Sequence, residues 1–147
     1  MGFNWRYLVA IAGIVAVAVM AFMKMHAGQP SGDTSASFAF SKQSQKGIYL
    51  VAIEPETSPV RLGELHTWIV TVKTPDGKPV ADASIEVSGG MPQHGHGLPT
   101  SPRITAHLGE GRYRVEGVKF TMSGLWELKF AVSAPPGDDE AVFNLKL

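Results

Sequence analysis

Val118-Lys119-Phe120-Thr121-Met122-Ser123-Gly124-Leu125-Trp126-Glu127-Leu128-Lys129-Phe130 is the stretch that decides the fold class. Its even-numbered positions are apolar or glycine, while the odd positions include Lys119, Thr121, Ser123, Glu127 and Lys129. A period of two places alternate side chains on opposite faces of a β-strand, with Phe120, Met122 and Trp126 on the inner face. The run is longer than one ordinary strand, so a break is expected near Ser123-Gly124. Just upstream, Tyr113 and Val115 have the opposite parity, which predicts a bulge or tight turn at Gly117.

The same period extends outward in both directions. Ile48 to Ile53 is a continuous apolar run ended by Glu54-Pro55, and reads as a buried strand. Between Glu64 and Lys73, Trp68, Val70 and Val72 share one face, and Thr67, Thr71 and Lys73 the other. Thr74-Pro75-Asp76-Gly77 has proline and glycine where a turn requires them. Ile85 and Val87 alternate with Ser84, Glu86 and Ser88; Ile104, Ala106 and Leu108 alternate with Arg103, Thr105 and His107. Gly109-Glu110-Gly111 reverses the chain, and Phe143, Leu145 and Leu147 share a face of the last strand. About seven short strands separated by turn signals, with no helical pattern, predict an all-β immunoglobulin-like β-sandwich over residues 47–147, with a small β-barrel as the alternative.

Ahead of that domain, Tyr7 to Met23 carries no charge and is flanked by Arg6 and Lys24. It is apolar all round and just long enough to cross a hydrocarbon core, with Trp5 and Tyr7 at the level of an interfacial aromatic belt. A cleavable signal peptide has a similar plan. A cut near Met25-His26-Ala27 would lack the small residue three positions earlier, and the apolar run exceeds a usual signal core. Residues 1–26 are therefore read as a single N-terminal transmembrane anchor of the inner (cytoplasmic) membrane. The short N-terminus stays inside, and the C-terminal domain lies in the periplasm or extracellular space. Residues 27–46, rich in Ser, Gly, Gln and Thr, read as a flexible linker interrupted by Phe38 and Phe40.

Composition removes several functions. The chain has 13 basic and 13 acidic residues, so there is no cationic surplus to meet phosphates, and nucleic acid is not an expected partner. There is no cysteine, which excludes disulfides, thiolate zinc sites, iron–sulfur clusters and a cysteine nucleophile. No serine sits in a nucleophile elbow, and no glycine-rich phosphate loop precedes a helix. The carboxylate pairs Glu54/Glu56 and Asp138/Asp139 lie in turn-like surroundings where solvated acids are the rule. Enzymatic activity is not expected.

One polar constellation remains: Gly89-Gly90-Met91-Pro92-Gln93-His94-Gly95-His96-Gly97-Leu98-Pro99. If the loop is extended, His94 and His96 point to one side, and the glycines let the backbone bend around a small ion. Imidazole with a thioether suits copper better than calcium or magnesium, and the neutral imidazole is the binding form. Met122 is a second thioether whose strand end could approach the loop, although a core methionine is the default on a face shared with Phe120 and Trp126. His107 is a weaker candidate. Against metal binding stands a plain structural loop, its imidazoles bonded to carbonyls and Met91 packed on the sandwich edge. Trp68 or Trp126 lining a small-ligand pocket is a further reading, which strand parity opposes by placing both in the core.

Three segments together resemble the YtkA-like domain: Asp76-Gly77-Lys78-Pro79-Val80, Met91-Pro92-Gln93-His94-Gly95-His96-Gly97, and Phe120-Thr121-Met122-Ser123-Gly124-Leu125-Trp126. That family is similar to the FixH-like proteins of bacterial cytochrome oxidase assembly. The resemblance covers about residues 47–147 and implies a membrane-tethered extracytoplasmic β-sandwich that handles copper or serves oxidase maturation. It implies Met91, His94, His96 and Met122 as metal ligands, and an integral membrane or periplasmic protein as partner. The alternative is a metal-free protein-interaction module at the membrane surface.

Overall fold

Alternation of apolar and polar side chains is realised as nine strands in a computed structural model, which describes residues 40–147. The expected anchor over residues 1–26 and most of the expected linker lie outside the described residues. The strands are β1 (Phe40–Gln43), β2 (Leu50–Pro55), β3 (Leu65–Lys73), β4 (Ser84–Met91), β5 (His96–Gly97), β6 (Arg103–Gly109), β7 (Arg112–Lys119), β8 (Leu125–Ala134) and β9 (Gly137–Lys146). They form two antiparallel sheets, β1-β2-β3-β7-β6 and β5-β4-β8-β9. Without β1 and β5, the orders β2-β3-β7-β6 and β4-β8-β9 are the A-B-E-D and C-F-G orders of a seven-stranded constant-type immunoglobulin sandwich.

Between the sheets lie Val51, Ile53, Trp68, Val70, Val72, Tyr113 and Val115 from one side, and Trp126, Leu128, Phe130, Phe143 and Leu145 from the other. Phe120 meets Trp126 edge-on at 5.3 Å and Trp68 at 6.5 Å, and Phe130 meets Phe143 at 5.8 Å. Such aromatic pairs add about 0.5–1.5 kcal/mol each beyond the area they bury. The parity change at Gly117 is a bulge. β3 advances from His66 to Trp68 while β7 covers Val118 to Val115, so β7 carries one extra residue, and Gly117 has φ 90°. The expected break is also present, since β7 ends at Lys119 and β8 begins at Leu125.

Two expectations change. The stretch read as linker ends before Phe40, because Phe40–Gln43 pairs with Ile53–Leu50 as an edge strand. Phe40 packs against the core with its ring 6.5 Å from Phe143, which a polar-looking sequence did not announce. β2, read as a fully buried strand, alternates instead. Val51 and Ile53 are buried, whereas Leu50 is 37% exposed, because β2 lies in an outer layer with a single core-facing side.

At the end of the sandwich where β8 turns into β9, Asp139 fastens the start of the domain to β9. Its carboxylate is 6% exposed and accepts the backbone N–H groups of Lys46 (3.0 Å), Ile48 (3.2 Å) and Glu140 (2.8 Å). Burial pushes its pKa up, but the Ser44 hydroxyl and those N–H groups together pull it below the ordinary carboxylate value. The folded-state pKa is thus lower than the unfolded one. The stabilisation is complete above the unfolded pKa and is lost as pH falls through the folded one. Asp139→Asn is expected to lower stability at neutral pH by about 1–2 kcal/mol, after allowance for solvent nearby. Urea unfolding of both proteins checks this, and the difference between them should shrink progressively below the ordinary carboxylate pKa.

Candidate metal centre

Met91 closes β4, and the chain then makes a single 3-10 turn over Pro92–His94. Pro92 supplies the fixed φ that suits the start of such a turn, and Gly95 ends it in the left-handed region at φ 67°. The Gly95 N–H donates to the carbonyls of Met91 (3.1 Å) and Pro92 (3.3 Å). The chain folds straight back as β5, which pairs Gly97 with Gly90 and His96 with Met91. Gly90 is where this return needs room, because a Cβ built there would stand 2.3 Å from the His96 carbonyl oxygen and 2.7 Å from Gly97 Cα.

This return sets the geometry of the site. Directly paired residues of antiparallel strands share a face, with Cβ atoms about 4.5–5.5 Å apart. Met91 and His96 are such a pair, Met91 buried at 1% exposure and His96 exposed. The His96 ring meets Trp126 edge-on at 5.9 Å, and the His94 and His96 ring centroids are 6.0 Å apart. The two histidines approach through a turn, and not through the extended backbone their spacing suggested.

Two histidine rings bound to one ion through nitrogens about 2.0–2.1 Å away have centroids roughly 5–6 Å apart, so the His94/His96 spacing fits a shared ion. His96 Nδ1 lies 3.1 Å from the Gly97 carbonyl oxygen. A carbonyl only accepts, so this contact assigns the hydrogen of the neutral ring to Nδ1 and leaves the Nε2 lone pair for a ligand. Among the described residues no three His, Asp or Glu side chains gather as a ligand set, so the two imidazoles would need other donors, among which the thioethers of Met91 and Met122 are candidates. Thioether and imidazole are a donor set that fits copper.

The two methionines lie differently from expectation. Met91 is buried, and its methyl carbon fills the space over Gly124, where a Cβ would stand 2.7 Å from it. Met122, expected on the core face, is 43% exposed. The chain leaves the strand between Lys119 and Leu125, so alternation no longer dictates which way Met122 faces. The backbone of Met122 is nevertheless fixed beside the site, because Trp126 donates its indole N–H to the Met122 carbonyl at 2.9 Å. Trp126 is the contributor that spacing did not single out as part of the site. Its even parity beside Phe120 was visible, but its contact with His96 depends on the fold-back of β5.

The other histidines lie elsewhere. His107 packs edge-on against Tyr113 at 4.9 Å, in the other sheet. His66 holds the β2–β3 connection, with Nε2 2.7 Å from the Arg61 carbonyl oxygen. Trp68 and Trp126 are both buried in the core, as parity predicted. A groove of about 380 Å³ is lined by Asp138, Asp139 and Glu140, whose carboxylates already accept hydrogen bonds. A second groove, of about 350 Å³, includes Met91, Pro92, Gly95 and His96 and continues onto the Glu127–Lys129 pair.

Because β5 pairs with β4 at only two positions, Gly90→Ala should push β5 aside while the sandwich remains folded. His96 would then leave the Trp126 ring, and its imidazole proton resonances would lose the ring-current displacement that the contact produces. An unchanged His96 spectrum in a folded Gly90→Ala protein would show that the close approach does not position the ring.

Comparison with known proteins places the chain. No curated protein and no solved structure matches it. A sequence model of the YtkA-like family matches residues 42–131, which is more than half of the chain and runs from β1 into β8. The matched span includes the whole Met91–Gly97 fold-back together with Met122 and Trp126, and on that match the protein belongs to the YtkA-like family.

Proposed function

We propose that the domain is a non-enzymatic, membrane-tethered extracytoplasmic module that binds copper and passes it to an integral membrane or periplasmic partner, in the setting of respiratory oxidase maturation. The observation that supports this most is the Met91–His96 cross-strand pair, with the His94 ring 6.0 Å from that of His96. It offers thioether and imidazole donors together in a protein without cysteine.

Each residue has a separate task. His96 presents Nε2 because the Gly97 carbonyl occupies Nδ1, and His94 supplies a second imidazole from the end of the 3-10 turn. Met91 backs the loop from inside the sandwich, and Met122 stands exposed at its rim. Copper is cargo here and needs an exit. His94, His96 and Met122 are all open to solvent, so a partner's ligands can displace them one at a time. The apolar run Tyr7–Met23 supports the tether, at the inner membrane in a single pass with the domain outside the cytoplasm.

Titration of Cu(I) and Cu(II) into the full chain tests the reading. The His94→Ala/His96→Ala protein should bind about tenfold more weakly or worse. Cu(II) should quench Trp126 emission, since that indole lies 5.9 Å from the His96 ring, and the quenching should vanish in the double variant. Equal affinity in both proteins would sink the copper site and leave the metal-free interaction module.

A further inference from the structure

The end of the sandwich that carries the His loop gathers exposed apolar and cationic side chains, of which the copper reading uses Met122 alone. In this topology the β2–β3, β4–β6 and β7–β8 connections all emerge at that end. Backbone hydrogen bonds tie the β7–β8 connection to its neighbours: Gly63 N–H of the β2–β3 connection to the Phe120 carbonyl at 2.7 Å, and Gly124 with Leu147 after β9 in both directions at 2.8 and 3.0 Å. Among the described residues five large apolar side chains are well exposed, and four of them are here: Leu62 (45%), Leu65 (67%), Met122 (43%) and Leu125 (45%). Only Leu50 lies elsewhere.

Cations stand beside these side chains by register. Leu65 pairs with Lys119, and Leu125 pairs with Lys146, on the outward faces of the two sheets. Arg61 precedes Leu62 in the connection. Among the described residues none of Arg61, Lys119 and Lys146 has an ion pair, whereas the neighbouring acids Glu56 and Glu127 are taken by Arg114 and Lys129, leaving Glu64 and Glu116, the latter opposite Arg103 in register. Exposed leucines flanked by unpaired lysine and arginine form a surface suited to the boundary between acyl chains and anionic headgroups.

The chain direction agrees. Phe40 is opposite Ile53 and Gln43 opposite Leu50, so β1 starts on the side of this end and runs away from it. We propose that this end rests against an anionic lipid bilayer, with Leu62, Leu65, Met122 and Leu125 at the acyl boundary and Arg61, Lys119 and Lys146 among the headgroups. The His94/His96 loop then faces the membrane, where an integral protein would meet it. This rests on the tether in the functional reading, but on neither histidine nor copper.

The absence of cysteine makes a site-specific test direct. Leu62→Cys, Leu125→Cys and, at the opposite end, Ala81→Cys proteins are each labelled with an environment-sensitive fluorophore, as full chains reconstituted into vesicles of phosphatidylcholine with phosphatidylglycerol. Lipids brominated along the acyl chain should quench labels at 62 and 125 several-fold more than at 81, and omitting phosphatidylglycerol should reduce that quenching. Equal quenching at all three positions, or none, overturns the proposal while leaving the tether intact. A blue shift at 62 and 125 without bromine quenching means that a second copy of the chain covers this end, and also overturns it. A chain that fails to float with the vesicles refutes the tether, and this proposal with it.

Discussion

The indole of Trp126 is completely buried, and an N–H left unpaired there would cost about 1–3 kcal/mol. The Met122 carbonyl prevents this, and in doing so fixes the connection between β7 and β8 to the floor of the core. The same ring meets Phe120 on one side and His96 on the other. One side chain therefore couples the packing between the sheets, the path of a connection and the placing of a candidate ligand. The fold-back of β5 depends on it too, since two pairs of strand residues are a weak hold without a ring to rest against.

Around that centre, glycine does what a larger residue could not. Gly90 admits the returning strand, and Gly124 leaves the space that the Met91 methyl occupies. Met91 is consequently a hinge between two roles, a core side chain by burial and a candidate donor by position. A ligand drawn partly from the core is held more rigidly than one on a loop. That contrasts with the solvent-open His94 and Met122, and gives the site a fixed inner half and a yielding outer half.

Most strands were legible because alternation persists wherever backbone pairs with backbone: Trp68/Val70/Val72 and Trp126/Leu128/Phe130 fell on the faces their parity gave. β1 was not legible, because Phe-Ser-Lys-Gln is polar and short and is held by its neighbour β2 and by Phe143. β5 was not legible either, since two residues have no period. Parity misplaced Met122 because it was carried across a connection in which there is no strand to enforce it. For Met91 the signal was present and unused: Ile85, Val87, Gly89 and Met91 share one parity, which leads to the core. The nearness of His94 and His96 could be expected from spacing, but through the wrong geometry, because a left-handed Gly95 and a 3-10 turn do what an extended chain was expected to do.

The direction of β1 also determines how the domain bears mechanical load. The hydrogen bonds between antiparallel strands lie across the strand axis. Tension applied at Phe40 along the strand axis loads the four pairs with β2 together in shear. A chain joined at the Gln43 end would instead peel them open one by one. Lys42 adds a cross-tie, its ammonium donating to the Val142 carbonyl at 2.6 Å and so binding β1 to β9 of the other sheet. A pull along the strand at Phe40 is thus met by the β1–β2 ladder and the Lys42 tie together.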